Sequence, residues 1–351
     1  MNAAGLFLSG IVEGFYGRQW PHSARLAYAG ILAGAGLNCY LYCPKGDPFL
    51  RKRWQEHWPA GEWARLAELS AACARAGVAW GVGLSPFELY RDYSATQRRN
   101  LRDKVARLAE LEGPILAILF DDMPGDLADL AHRQAEIVAD VSHWQPHVRL
   151  LVCPTYYSFD PQLQSHFGAM PEGYWPQLGA ALPEGVDIFW TGNRVCAEAV
   201  AREDIVAIRD ALARPVMLWD NYPVNDGAVR SEHLYTRALP DRDAGLSELL
   251  TGHLCNPMNQ ALASLPALAG LAARYGTGIG EAALAQLLGE QTLHLLRRDA
   301  VLFEEKGLPG LDGGERERLA AEYAGLPGEA AREVAGWLRG EYRFDPACLT
   351  G

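Results

Sequence analysis

The chain has 351 residues and a formal net charge of −11, because 43 acidic residues outnumber 32 Lys and Arg. This length suffices for one large α/β domain with an appendage, or for two ordinary domains, and a full core needs no disulfides. The acidic balance argues against a nucleic-acid-binding protein, which needs a basic surface, and favours a soluble protein with a neutral or cationic partner.

The cysteines and the N-terminal segment bear on the cellular compartment. The seven cysteines are scattered and none forms a CxxC pair, so free thiols in a reducing environment fit the sequence best. The segment MNAAGLFLSGIVEGFYG lacks a charged region, and its apolar run is too short to span a bilayer. We therefore interpret it as a first strand and predict a cytoplasmic protein with no membrane association.

Eight short apolar runs alternate along the chain with Ala-, Leu- and Arg-rich segments of helical period. Most of the gaps contain a plausible helix. The fifth gap, residues 154–185, is rich in Pro and aromatic residues and is predicted as a loop with a short helix. The predicted strands cover residues 6–12, 37–43, 78–84, 115–120, 148–153, 186–190, 215–219 and 249–254.

Eight consecutive βα units predict an α/β fold, a closed (β/α)8 TIM barrel, over residues 1–274. An open doubly wound sheet is the alternative, but no GxGxxG motif follows the first strand and the strand count reaches eight. Residues 275–351 are rich in Ala, Leu and Glu, with helical period and Gly and Pro breaks, which predicts a small C-terminal helical region.

The C-terminal ends of the predicted strands are unusually polar. Barrel enzymes build their active sites from the loops at this end, so polar residues from six or seven segments should converge on one mouth. Each motif also has a structural interpretation. Lys45 could be a solvated lysine, Asn193 and Asn221 turn residues, and Trp190 and Trp219 core aromatics, which is the preferred interpretation of Trp219. The motifs are EGFYG, PKGDP, DDMPGD, PTYYS, WTGNR, WDNYPVND and CNPMN.

The most informative motif is ILFDDMPGD, in which an apolar strand ends in two adjacent acids, Asp121 and Asp122. Both carboxylates can face the mouth where the chain turns, and two nearby carboxylates resist simultaneous ionisation, which suits general acid–base chemistry. Asp126 is interpreted as the N-cap of a helix that begins at Leu127.

Metal sites are the rival interpretation of these acids. DDMPGD contains DDxxxD, which is loosely like the acid clusters that hold Mg²⁺, but those clusters usually lie on long helices and Pro124 interrupts this one. The nine histidines show no zinc-ligand spacing. We therefore predict no metal and no cofactor.

Together these motifs resemble the catalytic barrel of the O-GlcNAcase and bacterial β-N-acetylglucosaminidase family, glycoside hydrolase family 84. The resemblance extends over residues 6–265, about three quarters of the chain. It implies a glycoside hydrolase that acts on terminal β-linked N-acetylglucosamine. The motifs that carry it are GIVEGFYGRQW, LNCYLYCPKGDP, ILFDDM, VCPTYY, FWTGNRV, WDNYPVND and CNPM, in this order.

The family implies a retaining mechanism in which the 2-acetamido oxygen of the substrate attacks the anomeric carbon and forms an oxazoline. By this resemblance Asp121 orients the acetamido N–H, and Asp122 protonates the glycosidic oxygen and then activates water. Six substrate contacts are also implied. They are Gly14 and Lys45 with sugar hydroxyls, Tyr157 with the acetamido oxygen, Trp190 at the acetamido methyl, Asn193 at the 4- and 6-hydroxyls, and Asn221, or alternatively Asn225, at an outer hydroxyl.

The chain departs from the family pattern after WTG, where the family usually has an Asp that binds the 4- and 6-hydroxyls. Asn193 stands there and lacks the charge-assisted bond. This difference leaves the gluco or galacto preference open and motivates an alternative, a catalytically weak or silent N-acetylhexosamine-binding barrel. The expected partner is a glycan or glycoprotein that bears N-acetylglucosamine, and the expected oligomeric state is a monomer or a homodimer.

Overall fold

The chain forms a closed barrel of eight parallel strands in a computed structural model, which describes residues 5–344. The strands are β1 Leu8–Glu13, β2 Cys39–Tyr42, β3 Ala79–Leu84, β4 Ile115–Leu119, β5 Arg149–Cys153, β6 Asp187–Trp190, β7 Val216–Asp220 and β8 Leu250–Cys255. Each strand pairs with the next one in sequence, and Leu8 of β1 pairs with Gly252 of β8 to close the barrel. The (β/α)8 prediction and all eight predicted strands are confirmed.

The strands are mostly apolar because both of their faces are covered, and their charged residues stand mainly at the strand ends. Every residue of β1, β4 and β7 is buried. In a barrel, one face of each strand lines the interior and the other packs against helices, so the strand shows a continuous hydrophobic run instead of an alternation. Because both faces of each strand are buried in a barrel, eight predominantly apolar runs predict this fold.

Helices connect the strands and cover the outside of the barrel. The second helix ends at Gly77, whose φ of 75° is the left-handed conformation that favours glycine after a helix. The long gap after β5 contains two short helices, which agrees with the predicted loop and short helix. The barrel helices are α1 His22–Gly34, α2 Ala60–Ala76, α3 Ala95–Leu108, α4 Leu130–Trp144, α5 Gln162–Phe167, α6 Tyr174–Ala181, α7 Arg202–Leu212, α8 Gly227–Arg230 and α9 Leu265–Tyr275.

The predicted N-cap at Asp126 is wrong. The helix after β4 begins at Leu130, and Asp129 is the residue that precedes it. The carboxylate of Asp126 is instead paired with the guanidinium of Arg91, which lies in the loop after β3. A charged partner from a neighbouring loop therefore takes this side chain, and the chain from residue 125 to 129 remains non-helical.

Four more helices follow the barrel: α10 Glu281–Leu288, α11 Glu290–Val301, α12 Gly313–Ala324 and α13 Glu329–Leu338. The last of them, α13, packs against loops at the C-terminal end of the strands. Glu333 accepts hydrogen bonds from the backbone N–H of Leu262 and Ala263, both at 2.9 Å. The indole of Trp337 donates to the carbonyl of Ser231 at 3.1 Å. The end of the predicted helical region, residues 345–351 with Cys348, lies outside the described residues.

Two further findings concern residues 5–344. Six cysteines in this range are free thiols, and all of them except Cys196 are buried. No helix in the same range has both the length and the apolar composition that a membrane crossing requires.

Candidate active site

A cavity of about 130 Å³ lies at the C-terminal end of the barrel. The residues that line the cavity come from seven of the eight strands or from the loops that follow those strands. Neither β3 nor the loop after it contributes a lining residue. The cavity brings together the predicted site residues Gly14, Lys45, Asp121, Asp122, Tyr157 and Asn221. The other lining residues are Tyr16, Cys153, Thr191, Val195, Cys196, Trp219, Val224, Asp226 and Asn256.

Asp121 is a buried carboxylate with only 6% of its surface exposed. The ammonium of Lys45 donates a hydrogen bond to Oδ2. Burial lowers the pKa of Lys45, but the negative charges of Asp121 and Asp122 outweigh burial and raise it, so the ammonium stays charged. Within residues 5–344, Oδ1 of Asp121 is buried without a hydrogen-bond partner. An unpaired buried oxygen costs free energy, so this atom is suited to accept a hydrogen bond from a ligand.

Asp122 has a different environment, although it is the next residue in the chain. Its side chain is half-buried, and its backbone is left-handed, with a φ of 56°. The hydroxyl of Tyr16 donates to Oδ2 at 2.9 Å, and the hydroxyl of Tyr157 donates to Oδ1 at 3.0 Å. The left-handed turn allows adjacent residues to face one cavity, whereas in an extended strand they would point to opposite sides.

The two tyrosines remain protonated donors at neutral pH. Burial raises the pKa of Tyr16 well above its usual value of 10.0, and the charge of Asp122 raises it further. Burial and the same carboxylate raise the pKa of Tyr157 in the same way. Both hydroxyls can therefore hold the carboxylate of Asp122 in one orientation, because neither of them ionises over the ordinary pH range.

Gly14 and Trp219 pack closely on one wall of the cavity. A Cβ atom on residue 14 would lie 2.3 Å from Cζ2 of Trp219, so only glycine allows the indole to occupy this position. The Trp219 indole N–H donates to Oδ1 of Asn221 at 3.0 Å. Asn256 donates to the same oxygen at 3.0 Å and accepts the backbone N–H of Gly14 at 3.1 Å. The four residues thus form one hydrogen-bonded wall.

Asp226 supplies a third carboxylate to the cavity. Its Oδ2 accepts the backbone N–H of Tyr16 at 2.8 Å. Burial raises the pKa of Asp226 to about 6, and the negative charge of Asp122 adds to this, whereas the Tyr16 N–H opposes it. The carboxylate retains unused acceptor capacity, which suits it to sugar hydroxyl groups.

The structure distinguishes the two candidate asparagines after β7. Asn221 lines the cavity, whereas Asn225 is buried elsewhere, with 1% of its surface exposed. Asn225 donates to the carbonyl of His233 at 3.1 Å and to Gln260 at 2.8 Å, and it accepts the backbone N–H of Asn259 at 3.1 Å. Its hydrogen bonds hold loops together. Asn221 also donates to the carbonyl of Val195, at 2.8 Å, but it is the one of the two asparagines that lines the cavity.

The predicted position of Trp190 at the cavity needs correction. Trp190 is fully buried and packs edge-to-face against Phe159 and against Trp175 of α6, with ring centroids 4.7 and 5.7 Å away. Its neighbour Phe189 contacts Trp219 instead, at 5.1 Å. Adjacent strand residues point to opposite faces, so Phe189 faces the interior and Trp190 faces the helices. The preferred interpretation of Trp219 as a core residue is confirmed, since it is buried in the hydrophobic core, and its ring also lines the cavity.

Asn193 also lies outside the cavity. It is exposed, in the loop after β6, while Thr191, Val195 and Cys196 of the same loop line the cavity. The inferred replacement of an acid by Asn193 therefore does not describe this site, because the carboxylate of Asp226 is present from the next loop. The sequence-based account missed Tyr16, Trp219, Asp226 and Asn256 as lining residues, although all four stand within strand-end motifs.

A larger cavity, of about 1160 Å³, lies at the opposite end of the barrel. It is lined by residues that precede or begin the strands, among them Arg149, Asp187 and Thr251. Loops at this end serve stability in barrel enzymes, whereas active sites lie at the C-terminal ends of the strands. We therefore assign the candidate active site to the smaller cavity.

One group of side chains within residues 5–344 has the clustering of metal ligands. Donor atoms of Asp220, His253 and Cys255 lie within 4.8 Å of one another. Arg242 binds both oxygens of Asp220, at 2.6 and 2.7 Å, and His253 binds Oδ2 at 2.9 Å. Because a guanidinium already occupies the carboxylate, these residues fit a buried ion-pair network and do not fit a cation site.

Comparisons with known proteins agree with this geometry. A family model described as beta-N-acetylglucosaminidase matches residues 9–287. The protein O-GlcNAcase of Rattus norvegicus is 28% identical over 279 residues, which is 77% of this chain and 30% of the relative. That of Mus musculus is 27% identical over the same shares. The chain thus spans about 30% of the length of these curated relatives.

A solved structure gives the same result at the level of the fold. An O-GlcNAc hydrolase mutant from Thermobaculum terrenum matches with a TM-score of 0.76 and 26% sequence identity, over 96% of this chain and 81% of that chain. The resemblance inferred from the strand-end motifs is confirmed, and the chain belongs to the β-N-acetylglucosaminidase family of glycoside hydrolases.

Proposed function

We propose that the chain is a retaining, O-GlcNAcase-like β-N-acetylglucosaminidase, which removes terminal β-linked N-acetylglucosamine by substrate assistance through an oxazoline. The observation that carries the proposal is the unequal pairing of the two adjacent acids. Asp121 has one oxygen bound to Lys45 and one buried oxygen without a partner among residues 5–344. Both oxygens of Asp122 accept tyrosine O–H groups, and its side chain is half-buried.

Asp121 is the residue that orients the acetamido group. Its unpaired Oδ1 accepts the acetamido N–H, while Lys45 holds the other oxygen, Oδ2, in place. Negative charge beside the N–H increases the electron density on the acetamido oxygen, which then attacks the anomeric carbon. Such an intramolecular attack gains from proximity, with effective molarities of about 10⁵ M or more.

Asp122 is the general acid and then the general base. It gives a proton to the glycosidic oxygen as the bond from that oxygen to the anomeric carbon breaks and the bond from the acetamido oxygen forms. In the second step it takes a proton from water, which attacks the anomeric carbon and opens the oxazoline with overall retention. Tyr16 and Tyr157 hold the carboxyl group in place. Tyr157 also lines the cavity, and the contact with the acetamido oxygen that the resemblance implies requires its O–H to turn from Asp122 to the substrate.

The remaining polar groups of the cavity are suited to the sugar hydroxyls. Gly14, Lys45 and Asn221 keep the roles that the family resemblance implies. The structure adds Asn256 and Asp226, of which Asp226 supplies a carboxylate acceptor. Trp219 offers an apolar ring surface beside Gly14.

The rival interpretations have less support. The silent binding barrel was motivated by Asn193, which lies outside the cavity, while Asp226 supplies a carboxylate within it. The DDxxxD interpretation requires Asp126, which does not line the cavity and pairs with Arg91. We further propose a cytoplasmic protein that acts on glycans or glycoproteins bearing N-acetylglucosamine, as a monomer or homodimer; the free thiols support that compartment.

Hydrolysis of 4-nitrophenyl β-N-acetylglucosaminide tests the activity. We expect release of nitrophenol by the wild type and strong loss in Asp121→Asn and in Asp122→Asn. Asp126→Asn is the matched control, because Asp126 is an exposed acid of the same segment, and it should retain activity. Absence of release by the wild type at every pH between about 4 and 8 would contradict the proposal.

Two substrate changes test the mechanism and the sugar preference. Fluorination of the acetamido methyl weakens the acetamido oxygen as a nucleophile, so kcat should fall with each added fluorine. A rate that did not respond to fluorination would argue against the oxazoline. Comparison with the galacto epimer measures the preference at the 4-hydroxyl, and activity in the presence of EDTA would count against a Mg²⁺-dependent reaction.

A further inference from the structure

Arg51 is a buried arginine beside the cavity, in the loop after β2 that also carries Lys45. It has 4% of its surface exposed and does not line the cavity. Its Nη2 donates a hydrogen bond to the backbone carbonyl oxygen of Asp122 at 2.9 Å. Within residues 5–344, its Nε and Nη1 are buried without hydrogen-bond partners. A buried guanidinium with so few partners is costly, which indicates a role beyond packing.

The residue that Arg51 holds has a strained backbone. Non-glycine residues adopt a positive φ uncommonly, and Asp does so more often than most because its short polar side chain can hydrogen-bond locally. Within residues 5–344 a positive φ is found in the non-glycine residues Glu88, Asp122 and Ala213. The first two of these lie close together, since the backbone N–H of Glu88 donates to the sulfur of Met123 at 3.4 Å. Strain thus concentrates where the loops after β3 and β4 meet, around the peptide that Arg51 binds.

The surroundings of the guanidinium connect it to the partners of Asp122. Its Cζ lies 5.1 Å from the ring centroid of Phe87, in the loop after β3, and 6.0 Å from that of Tyr16. Tyr16 is one of the two donors to the Asp122 carboxylate. Burial and Asp122 raise the pKa of Tyr16, and the charge of Arg51 opposes them, so this charge acts at the hydrogen bond that orients the acid.

We propose that Arg51 is a positioning residue for the general acid. Its hydrogen bond to the Asp122 carbonyl fixes the peptide plane after Asp122, and this keeps the left-handed turn that points the carboxyl group at Tyr16 and Tyr157. The loop after β3 supports Arg51 through Phe87, which gives a role to the one strand loop that does not line the cavity. The inference rests on the role of Asp122 in the proposed function.

Kinetics of Arg51→Met test this role. Methionine keeps the packing against Phe87 and Tyr16 but removes the donor and the charge. Because Arg51 does not touch the cavity, KM for the aryl glycoside should stay near the wild-type value, while kcat falls by about 10²-fold, as expected for a misplaced catalytic group. The matched control is Arg53→Met, since Arg53 is an exposed arginine of the same loop that pairs with Glu56. It should change neither constant.

Chemical rescue separates positioning from general support of the fold. Millimolar guanidinium chloride should restore part of kcat in Arg51→Ala, whose missing side chain leaves room for the ion, and should leave wild type and Arg53→Met unchanged. An unchanged kcat in Arg51→Met, or a rise in KM alone, would overturn the inference. If Arg51→Met does not fold, Arg51→Lys decides, because the lysine side chain is one bond too short to replace Nη2 at the Asp122 carbonyl. A lower kcat at unchanged KM would support the inference, and wild-type kcat would overturn it.

A crystal structure of Arg51→Met keeps the test independent of the proposed function. The inference requires φ of residue 122 to leave the left-handed region, or the Asp122 carboxyl group to lose its bonds from Tyr16 and Tyr157. An unmoved turn would refute the inference even if the wild type hydrolyses the glycoside. Conversely, a wild type without hydrolysis would refute the proposed function and leave the structural comparison valid.

Discussion

Asp220 and Asp121 are both buried carboxylates at the C-terminal ends of strands in this barrel, and they differ in how completely their oxygens are paired. Asp220, at the end of β7, has both oxygens bound by Arg242 and a further bond from His253, and 1% of its surface is exposed. Asp121, after β4, has one oxygen bound to Lys45 and one that lacks a partner among residues 5–344.

The backbones of the two clusters differ as well. Burial raises the pKa of Asp220, but Arg242 and His253 outweigh it and hold the pKa well below its usual range. Asp220 ends a regular strand, whereas Asp122 has a left-handed backbone. The contrast teaches that a fully paired acid serves the fold, while unpaired oxygens and strained backbone mark the acids that are available for chemistry.

The largest expected effect is loss of turnover in Asp122→Asn. Removal of the general acid should lower kcat by about 10²–10⁴-fold. Asparagine tolerates the left-handed backbone and still accepts one tyrosine hydrogen bond, so the free energy of unfolding should change little. Steady-state kinetics and urea unfolding of the same preparation measure the two quantities. If Asp122→Asn lost stability but kept kcat, Asp122 would serve the fold and not the chemistry, contrary to this comparison.

Asp220→Asn should have the opposite result. It leaves Arg242 as a buried charge without its carboxylate, which costs about 3–5 kcal/mol of unfolding free energy. The stabilisation by Asp220 is present above about pH 4, the unfolded pKa, and is lost as pH falls towards the lower folded pKa. Urea unfolding at neutral and acidic pH measures both effects. Undiminished stability with loss of turnover would show that this cluster is catalytic after all.

Gly14→Ala tests the wall that contains Trp219. The new Cβ would lie 2.3 Å from the indole, so the ring must move, which costs about 1–3 kcal/mol of stability and should raise KM. Gly61→Ala is the control, because Gly61 lies in α2 with nothing within 4 Å of its Cβ position, and alanine there should be neutral or slightly stabilising. Equal effects of the two changes would refute the close packing.

The smallest effect concerns Asp226, whose pKa burial raises to about 6. Below that pH the carboxyl group is protonated and loses its charge-assisted bonds to the sugar, so kcat/KM should fall about tenfold on acidification. Asp226→Asn should have the lower kcat/KM at neutral pH and lack this pH dependence. If kcat/KM of Asp226→Asn still fell below about pH 6, the fall would have to come from the protonation of another group.

The raised pKa of Asp226 also predicts that the free energy of unfolding depends on pH, with the opposite sign to the dependence expected from Asp220. Because the folded pKa of Asp226 is raised, its contribution makes the folded state less stable as pH rises from about 4 to about 6. Urea unfolding of the wild type and Asp226→Asn across this window checks the sign. A stability difference that stayed constant from pH 4 to 6 would contradict the raised pKa.

The sequence predicts the strands well because their apolar runs record burial on both faces. It predicts Asp121, Asp122 and Lys45 well because a barrel brings strand ends together. Trp190 was predicted at the cavity but faces the helices, since the facing of a strand residue depends on a one-residue register that composition does not determine. Asn193 was predicted at the site as well, but it is an exposed residue of the loop after β6, and composition does not determine the path of that loop.

Loop paths are set by contacts between residues that are far apart in sequence. Asp226 reaches the cavity because its carboxylate accepts the N–H of Tyr16, 210 residues away. Asp126 leaves the helix terminus because Arg91, in a different loop, binds it. No local pattern encodes either contact, so the cavity lining beyond the acid pair required the three-dimensional structure.

The division of the cavity between the two halves of the barrel has a consequence for assembly. Lys45, Asp121 and Asp122 come from the first four strands, and Trp219, Asn221, Asp226 and Asn256 from the last two. The acid pair is therefore synthesised long before these four residues, and neither half alone contains a complete site. A nascent chain, or a chain split into two fragments, should therefore hydrolyse substrate only once β8 has paired with β1 and closed the barrel.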